Sequence, residues 1–222
     1  MAHPAPSTFT GAADVIAVLV LLSEFAMLRA PLLRSQVRLY AFQSLVVTVL
    51  AIVVAATRHI DELYVLAAVS FVLKVVVVPR IVLRLLSRAE VSLAGSSAYG
   101  VATMTLIAIA VSIFGFFSIG ALHLHSTALP STALAISVAV VLVSFVLIIL
   151  RSDVVSQAVG FFSLENGVSV ASLVVASGLP LIVDVAFLFD LLVAVVVVGV
   201  LMRVHQGRTN TLSTDPLDQL KG

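Results

Sequence analysis

The chain has 222 residues, of which 61% are hydrophobic and 10% charged, with a mean hydropathy of +1.24 and a formal net charge of +1. Soluble domains carry about 25% charged residues, so the composition excludes that class and indicates an integral membrane protein. Cysteine is absent, which excludes iron–sulfur ligation, thiolate metal sites and internal disulfides. No basic, aromatic-bearing face exists to hold nucleic acid.

Apolar runs separated by short polar gaps indicate helices rather than the alternating strands of a barrel. Seven spans can be drawn, at roughly 12–30, 38–57, 62–84, 98–120, 132–150, 154–176 and 180–202. Each is about the 20 residues that cross ~30 Å of hydrocarbon. Met1 to Gly11 lacks the basic start of a signal peptide and reads as an external N-terminal segment. Pro31, Gly95, Pro130 and Gly178–Pro180 punctuate the spans.

Of the 12 Lys and Arg, only Arg58 and Lys74 fall away from the face that carries the rest. The positive-inside rule makes that face cytoplasmic, with the N-terminus outside and the C-terminus inside. Leu33-Arg34-Ser35 recurs 117 residues later as Leu150-Arg151-Ser152. Val69, Phe71, Val77 and Val82 have counterparts in Val185, Phe187, Val193 and Val198 at a spacing of 116. The expected architecture is all-α: two parallel three-helix repeats, 12–90 and 132–203, joined by one helix and an outer loop in 91–131, with a cytoplasmic tail in 204–222. Such repeats are a known transporter-type arrangement.

Ionisable groups inside these spans are the functional signal. A charge at the centre of a bilayer costs on the order of 2.5–3.5 kcal/mol even on the lenient insertion scale, so it is rarely accidental. Lys74, Glu165 and Asp190 each lie ~15–18 Å into their spans, near the midplane, and Asp184 lies nearer the outer face. In the repeat register Lys74 faces Asp190. Pro79 frees the Val75 carbonyl and is expected to kink the helix just beyond Lys74. Gln43, Ser44, Thr48 and Asn166 offer hydrogen bonds between helices. Glu24 lies toward the cytoplasmic end of the first span, where a salt bridge to Arg29 or Arg34, or a contact with a partner subunit, is expected. His59, His123 and His125 read as solvated outer-loop residues rather than metal ligands.

At Gly160-Phe-Phe-Ser-Leu-Glu165-Asn166-Gly167 the sequence resembles component E of hydrogenase-4, a family of membrane subunits of formate-hydrogenlyase-type nickel–iron hydrogenase complexes. Tyr40-Ala-Phe-Gln43-Ser44-Leu45 is similar to that family's second span, and Lys74-Val-Val-Val-Val-Pro79 to its third. Leu179-Pro180, Asp184 and Asp190 are similar to its seventh, and Thr211 to Gly222 to its closing segment. The last three spans also resemble the small K subunit of complex I and its cation-antiporter relatives, whose carboxylates serve proton transfer. In that pattern the acid stands four residues before the Asn, a place held here by Phe162; the acid present is Glu165.

The resemblance implies a bacterial or archaeal cell-membrane subunit with no cofactor of its own. Its implied partners are antiporter-like and complex I-type membrane subunits and a peripheral redox module with nickel–iron and iron–sulfur centres. Lys74, Glu165, Asp184 and Asp190 would belong to a proton pathway, with Gln43, Asn166 and Glu24 supporting it. Burial and mutual attraction act in opposite directions on the proton affinity of such groups, which lets a nearby charge switch them. Two alternatives stay open. The chain is an antiporter component or carrier, or the charges are ion pairs that only fix helix register. A stand-alone enzyme has no support, because no nucleophile–base pair, phosphate loop or metal-ligand set is apparent.

Overall fold

The computed structural model describes residues 8–89, 99–121, 131–175 and 199. Among these residues the fold is all-helical: α1 (Thr8–Arg29), α2 (Leu33–Arg58), α3 (Asp61–Ser70), a π-helical segment (Phe71–Val77), α4 (Val78–Ala89), α5 (Val101–Ala121), α6 (Ser131–Leu150) and α7 (Val154–Val175). Among the described residues, four helical stretches are long and apolar enough to cross a membrane: Leu33–Arg58, Asp61–Ser87, Val101–Gly120 and Thr132–Leu150. The expected seventh span and the tail lie outside the described residues, apart from Gly199, where an added Cβ would meet Leu85 of α4 at 3.1 Å.

Helix boundaries differ from expectation most at α2, which begins at Leu33 rather than near residue 38. The extra turn is held by Gln36, fully buried, whose Nε2 donates to the Ala30 carbonyl and whose Oε1 accepts from Ser156 Oγ. A satisfied polar side chain therefore extends the helix past its apolar run. At its other end α2 stops where His59 enters the left-handed region (φ 54°, ψ 44°) and its N–H bonds back to Ala55. Polar residues tolerate that region better than branched ones.

The third rod is helical on both sides of Pro79. The backbone stays helical through both junctions, with Phe71 at φ −56° and Val78 at φ −58°. Seven residues before Pro79, Phe71–Val77, widen into a π-helix that contains Lys74. The Val78 N–H bonds to the Leu73 carbonyl five residues back. Proline cannot donate to the Val75 carbonyl, and widening the preceding turns relieves the clash its ring would otherwise make. Such bulges are common at functional sites.

Hydrogen bonds between helices give their directions. Gln36 meets Ser156, Gln43 meets Ser163 and Ser44 meets Asn166, so α2 and α7 run parallel. Glu24 meets Ser144, and Leu28 meets Arg151 just past α6, so α1 and α6 also run parallel. Each parallel pair is joined through an antiparallel hairpin, α1–α2 and α6–α7. The result is a ring of four helices in the order α1, α2, α7, α6, with α5 packed outside α6 and the third rod beside α2.

Two apolar clusters fill this bundle. One contains Met27, Leu33, Val37, Tyr40, Val78, Val82, Leu147, Val155 and Phe162; the other contains Ala17, Val20, Leu50, Val54, Ala67, Ile136, Val140 and Val170. On α1, α2, the third rod and α7 alike, the residues between the clusters are polar: Glu24, Gln43 and Ser44, Lys74, and Ser163 with Asn166. A polar belt thus separates two oily layers. Arg151 closes the bundle's end, donating from its guanidinium to the Leu28 carbonyl at 2.7 Å. Burial pulls the Arg151 pKa below its ordinary value, and Asp153 pushes it the other way.

Small residues let α6 and α7 approach closely. A Cβ at Gly160 would lie 3.2 Å from both the Ile148 nitrogen and the Ser144 oxygen, and one at Gly167 would lie 3.2 Å from the Val141 nitrogen. Backbone atoms cannot step aside, so Gly160→Leu should force the hairpin apart and cost about 1–3 kcal/mol as overpacking. Thermal unfolding of the purified chain in detergent checks this: the variant should melt lower, whereas Gly100→Leu, in open space, should not.

Candidate functional site

The belt is one continuous hydrogen-bonded network assembled from five elements. On α1, Glu24 is 1% exposed. Gln43 Nε2 on α2 donates to Glu24 Oε2 at 2.8 Å and reaches the Val20 carbonyl at 3.3 Å. Ser144 Oγ on α6 lies 3.1 Å from Glu24 Oε1, and Ser163 Oγ on α7 contacts Glu24 Oε2 closely. Asn166 Nδ2 donates to Gln43 Oε1 at 3.0 Å and to Ser44 Oγ at 2.9 Å. Its other end, Oδ1, accepts from Lys74 Nζ at 3.4 Å.

Lys74 ends the network with a salt bridge, its Nζ 2.5 Å from Glu165 Oε1. The side chains of Lys74 and Glu165 are 3% and 13% exposed, so both charges sit in a low-dielectric interior. The π-helical segment carries Lys74 toward α7, where Ser169 Oγ lies a further 3.5 Å from Nζ. Glu165 Oε2 is buried without a hydrogen-bond partner among the described residues, as is the Tyr40 hydroxyl. Tyr40 lies within electrostatic reach of Glu165 and stacks at 5.5 Å on Phe162. Phe162 is part of the apolar layer, while Glu165 one turn later meets the cation.

The structure brings together Lys74, Glu165, Gln43, Asn166 and Glu24. Asp184 and Asp190, like His123 and His125, lie outside the described residues; Lys74's acidic partner among those described is Glu165. Glu24 needs a correction. Its bonds go to Gln43, Ser144 and Ser163 rather than to Arg29 or Arg34. The chain turns at Ala30–Leu32 so that Arg34 stays exposed while Glu24 points inward. Sequence reasoning missed Ser144 and Ser163. Serines in apolar spans give no one-dimensional sign of whether they bond across helices or back to their own backbone, and Ser144 has both acceptors within reach.

The chain is 24% identical over 207 residues to hydrogenase-4 component E of Escherichia coli K12, covering 93% of this chain and 96% of that protein. Hydrogenase-4 component E of Shigella flexneri gives the same figures. Over nearly its whole length, this chain is similar to hydrogenase-4 component E. It is also 39% identical over 84 residues to the uncharacterized protein Rv0085 of Mycobacterium tuberculosis, covering 37% of this chain and 36% of that one. No protein-family model and no solved structure matches.

Chemically, the Lys74–Glu165 contact can hold a proton on either atom. Moving it from Nζ to Oε1 turns an ion pair into a neutral pair with no displacement of heavy atoms. Because a buried charge left alone is costly, the Lys74→Met or Glu165→Leu variant should each lose up to about 3–5 kcal/mol of stability, and the double variant should regain most of it. Thermal melts of all four proteins, read as a double-mutant cycle, measure that coupling.

Proposed function

We propose that this chain is a membrane subunit of a hydrogenase-type oxidoreductase complex and that its polar belt takes part in proton translocation. The full-length similarity to hydrogenase-4 component E supports the first half. The buried Lys74–Glu165 pair carries the second. In this reading the chain crosses the cell membrane seven times as two parallel three-helix repeats, with its C-terminus in the cytoplasm. The parallel packing of α1 with α6 and α2 with α7 supports the repeat.

Redox chemistry would reside in partner subunits holding nickel–iron and iron–sulfur centres, as in formate-hydrogenlyase-type assemblies. Antiporter-like membrane subunits would flank this chain. A charge appearing in a neighbouring subunit would shift the proton between Lys74 Nζ and Glu165 Oε1, because attraction within the pair and desolvation oppose one another. Glu165 Oε2, which has no hydrogen-bond partner among the described residues, would offer a second lone pair through which a proton enters or leaves. Asp190 would extend the row of titratable groups along the midplane, with Asp184 toward the outer face.

Glu165→Gln in the assembled complex should preserve subunit composition but reduce redox-driven proton uptake into membrane vesicles at least tenfold. Full coupling in both Glu165→Gln and Lys74→Ala would refute the pathway. The exchanged pair Lys74→Glu/Glu165→Lys separates this from a packing role: an ion pair that only fixes register should recover full coupling, whereas a directional proton site should recover stability without transport.

A further inference from the structure

Glu24 is a buried acid of the belt outside the Lys74–Glu165 pair, and hydrogen positions around it are constrained by the donors and acceptors available. Lys74 starts the chain of constraints. Its ammonium only donates, so the Asn166 atom facing it must be Oδ1, and Asn166 Nδ2 must point at Gln43 and Ser44. Gln43 must then present Oε1 to Asn166 and Nε2 to the Val20 carbonyl and Glu24 Oε2. Flipping either amide would set donor against donor or acceptor against acceptor. Amide orientation, usually ambiguous, is thus fixed by the cation at the end of the row.

Ser163 now has a shortage of hydrogens. Its Oγ lies within bonding distance of Gln43 Oε1, at 2.8 Å, and in still closer contact with Glu24 Oε2. Both are acceptors if Glu24 is ionised, yet a serine hydroxyl carries one proton. One of the two contacts would then press oxygen on oxygen with nothing between. A proton on Glu24 removes the conflict: Glu24 Oε2–H donates to Ser163 Oγ, and Ser163 Oγ–H donates to Gln43 Oε1.

Charge points the same way. Around Glu24, α6 and α5 bring no ionisable side chain, and α7 brings Glu165, already paired with Lys74. α2 brings Tyr40 and, at its ends, Arg34, Arg38 and Arg58; α1 itself brings Asp14 and Arg29. The Arg151 guanidinium is bound to the Leu28 and Ala30 carbonyls.

We infer that Glu24 is a resident protonated carboxylic acid, a proton-holding site distinct from the Lys74–Glu165 pair. The donor chains from its two sides, Glu24 to Ser163 and Lys74 to Asn166, converge on the Gln43 carbonyl oxygen. An amide oxygen is too weak a base to pass a proton on, so the network insulates the two sites from each other while holding both in place. This does not depend on the chain moving protons.

Infrared spectroscopy of the full chain in lipid vesicles at neutral pH tests it. The expected result is a protonated-carboxyl C=O band that shifts in deuterium oxide, is lost in Glu24→Gln and persists in Glu165→Gln. Ser163→Ala serves as a second variant should Glu24→Gln fail to accumulate. It removes the acceptor of the acid's proton, so the band should move to higher frequency without disappearing. Loss of carboxylate-stretch intensity instead of the C=O band in Glu24→Gln would overturn the inference. So would a C=O band that Ser163→Ala leaves unmoved.

Discussion

A lysine and a glutamate 2.5 Å apart, in an interior that neither would tolerate alone, set the terms for the rest of this molecule. Bringing Lys74 to Glu165 requires the third rod to press against α2 and α7 at one height and in one rotation. Several features serve that placement: the π-helical widening before Pro79, the close α6–α7 approach at Gly160 and Gly167, and the parallel run of α2 beside α7. A buried pair is weak as a source of net stability but strong as a constraint, because any slip strands both charges.

The belt extends that constraint across the bundle. Lys74 orients Asn166, Asn166 orients Gln43, and Gln43 with Ser163 addresses Glu24, so a single cation organises side chains on four neighbouring elements. Apolar layers on either side exclude water and raise the cost of leaving any member unsatisfied. Rigidity of this kind suits a subunit that must present titratable groups at fixed positions to its neighbours.

The regions of α5 and the third rod that face away from the bundle are apolar, with Leu106, Ile113, Phe114 and Phe117 all more than half exposed. In a bilayer such a surface meets lipid or another membrane subunit without cost. It would aggregate in water.

Composition and run length determined by themselves that this is a helical membrane protein, because an apolar chain in lipid must satisfy its backbone locally. They also singled out Lys74 and Glu165, since an ionisable residue in an apolar span stands out in one dimension. Tertiary structure decided which charges meet. The repeat register suggested Lys74 opposite Asp190, which lies outside the described residues; among the described residues Lys74 meets Glu165. Glu24 was read as a peripheral salt-bridge partner because Arg29 and Arg34 are near in sequence. Its position in the belt follows from packing against α2, α6 and α7, whose contributing residues lie 19 to 139 positions away. Ser144 and Ser163 were illegible for the same reason: a hydroxyl's partner is chosen by the facing helix, and no local pattern encodes that choice.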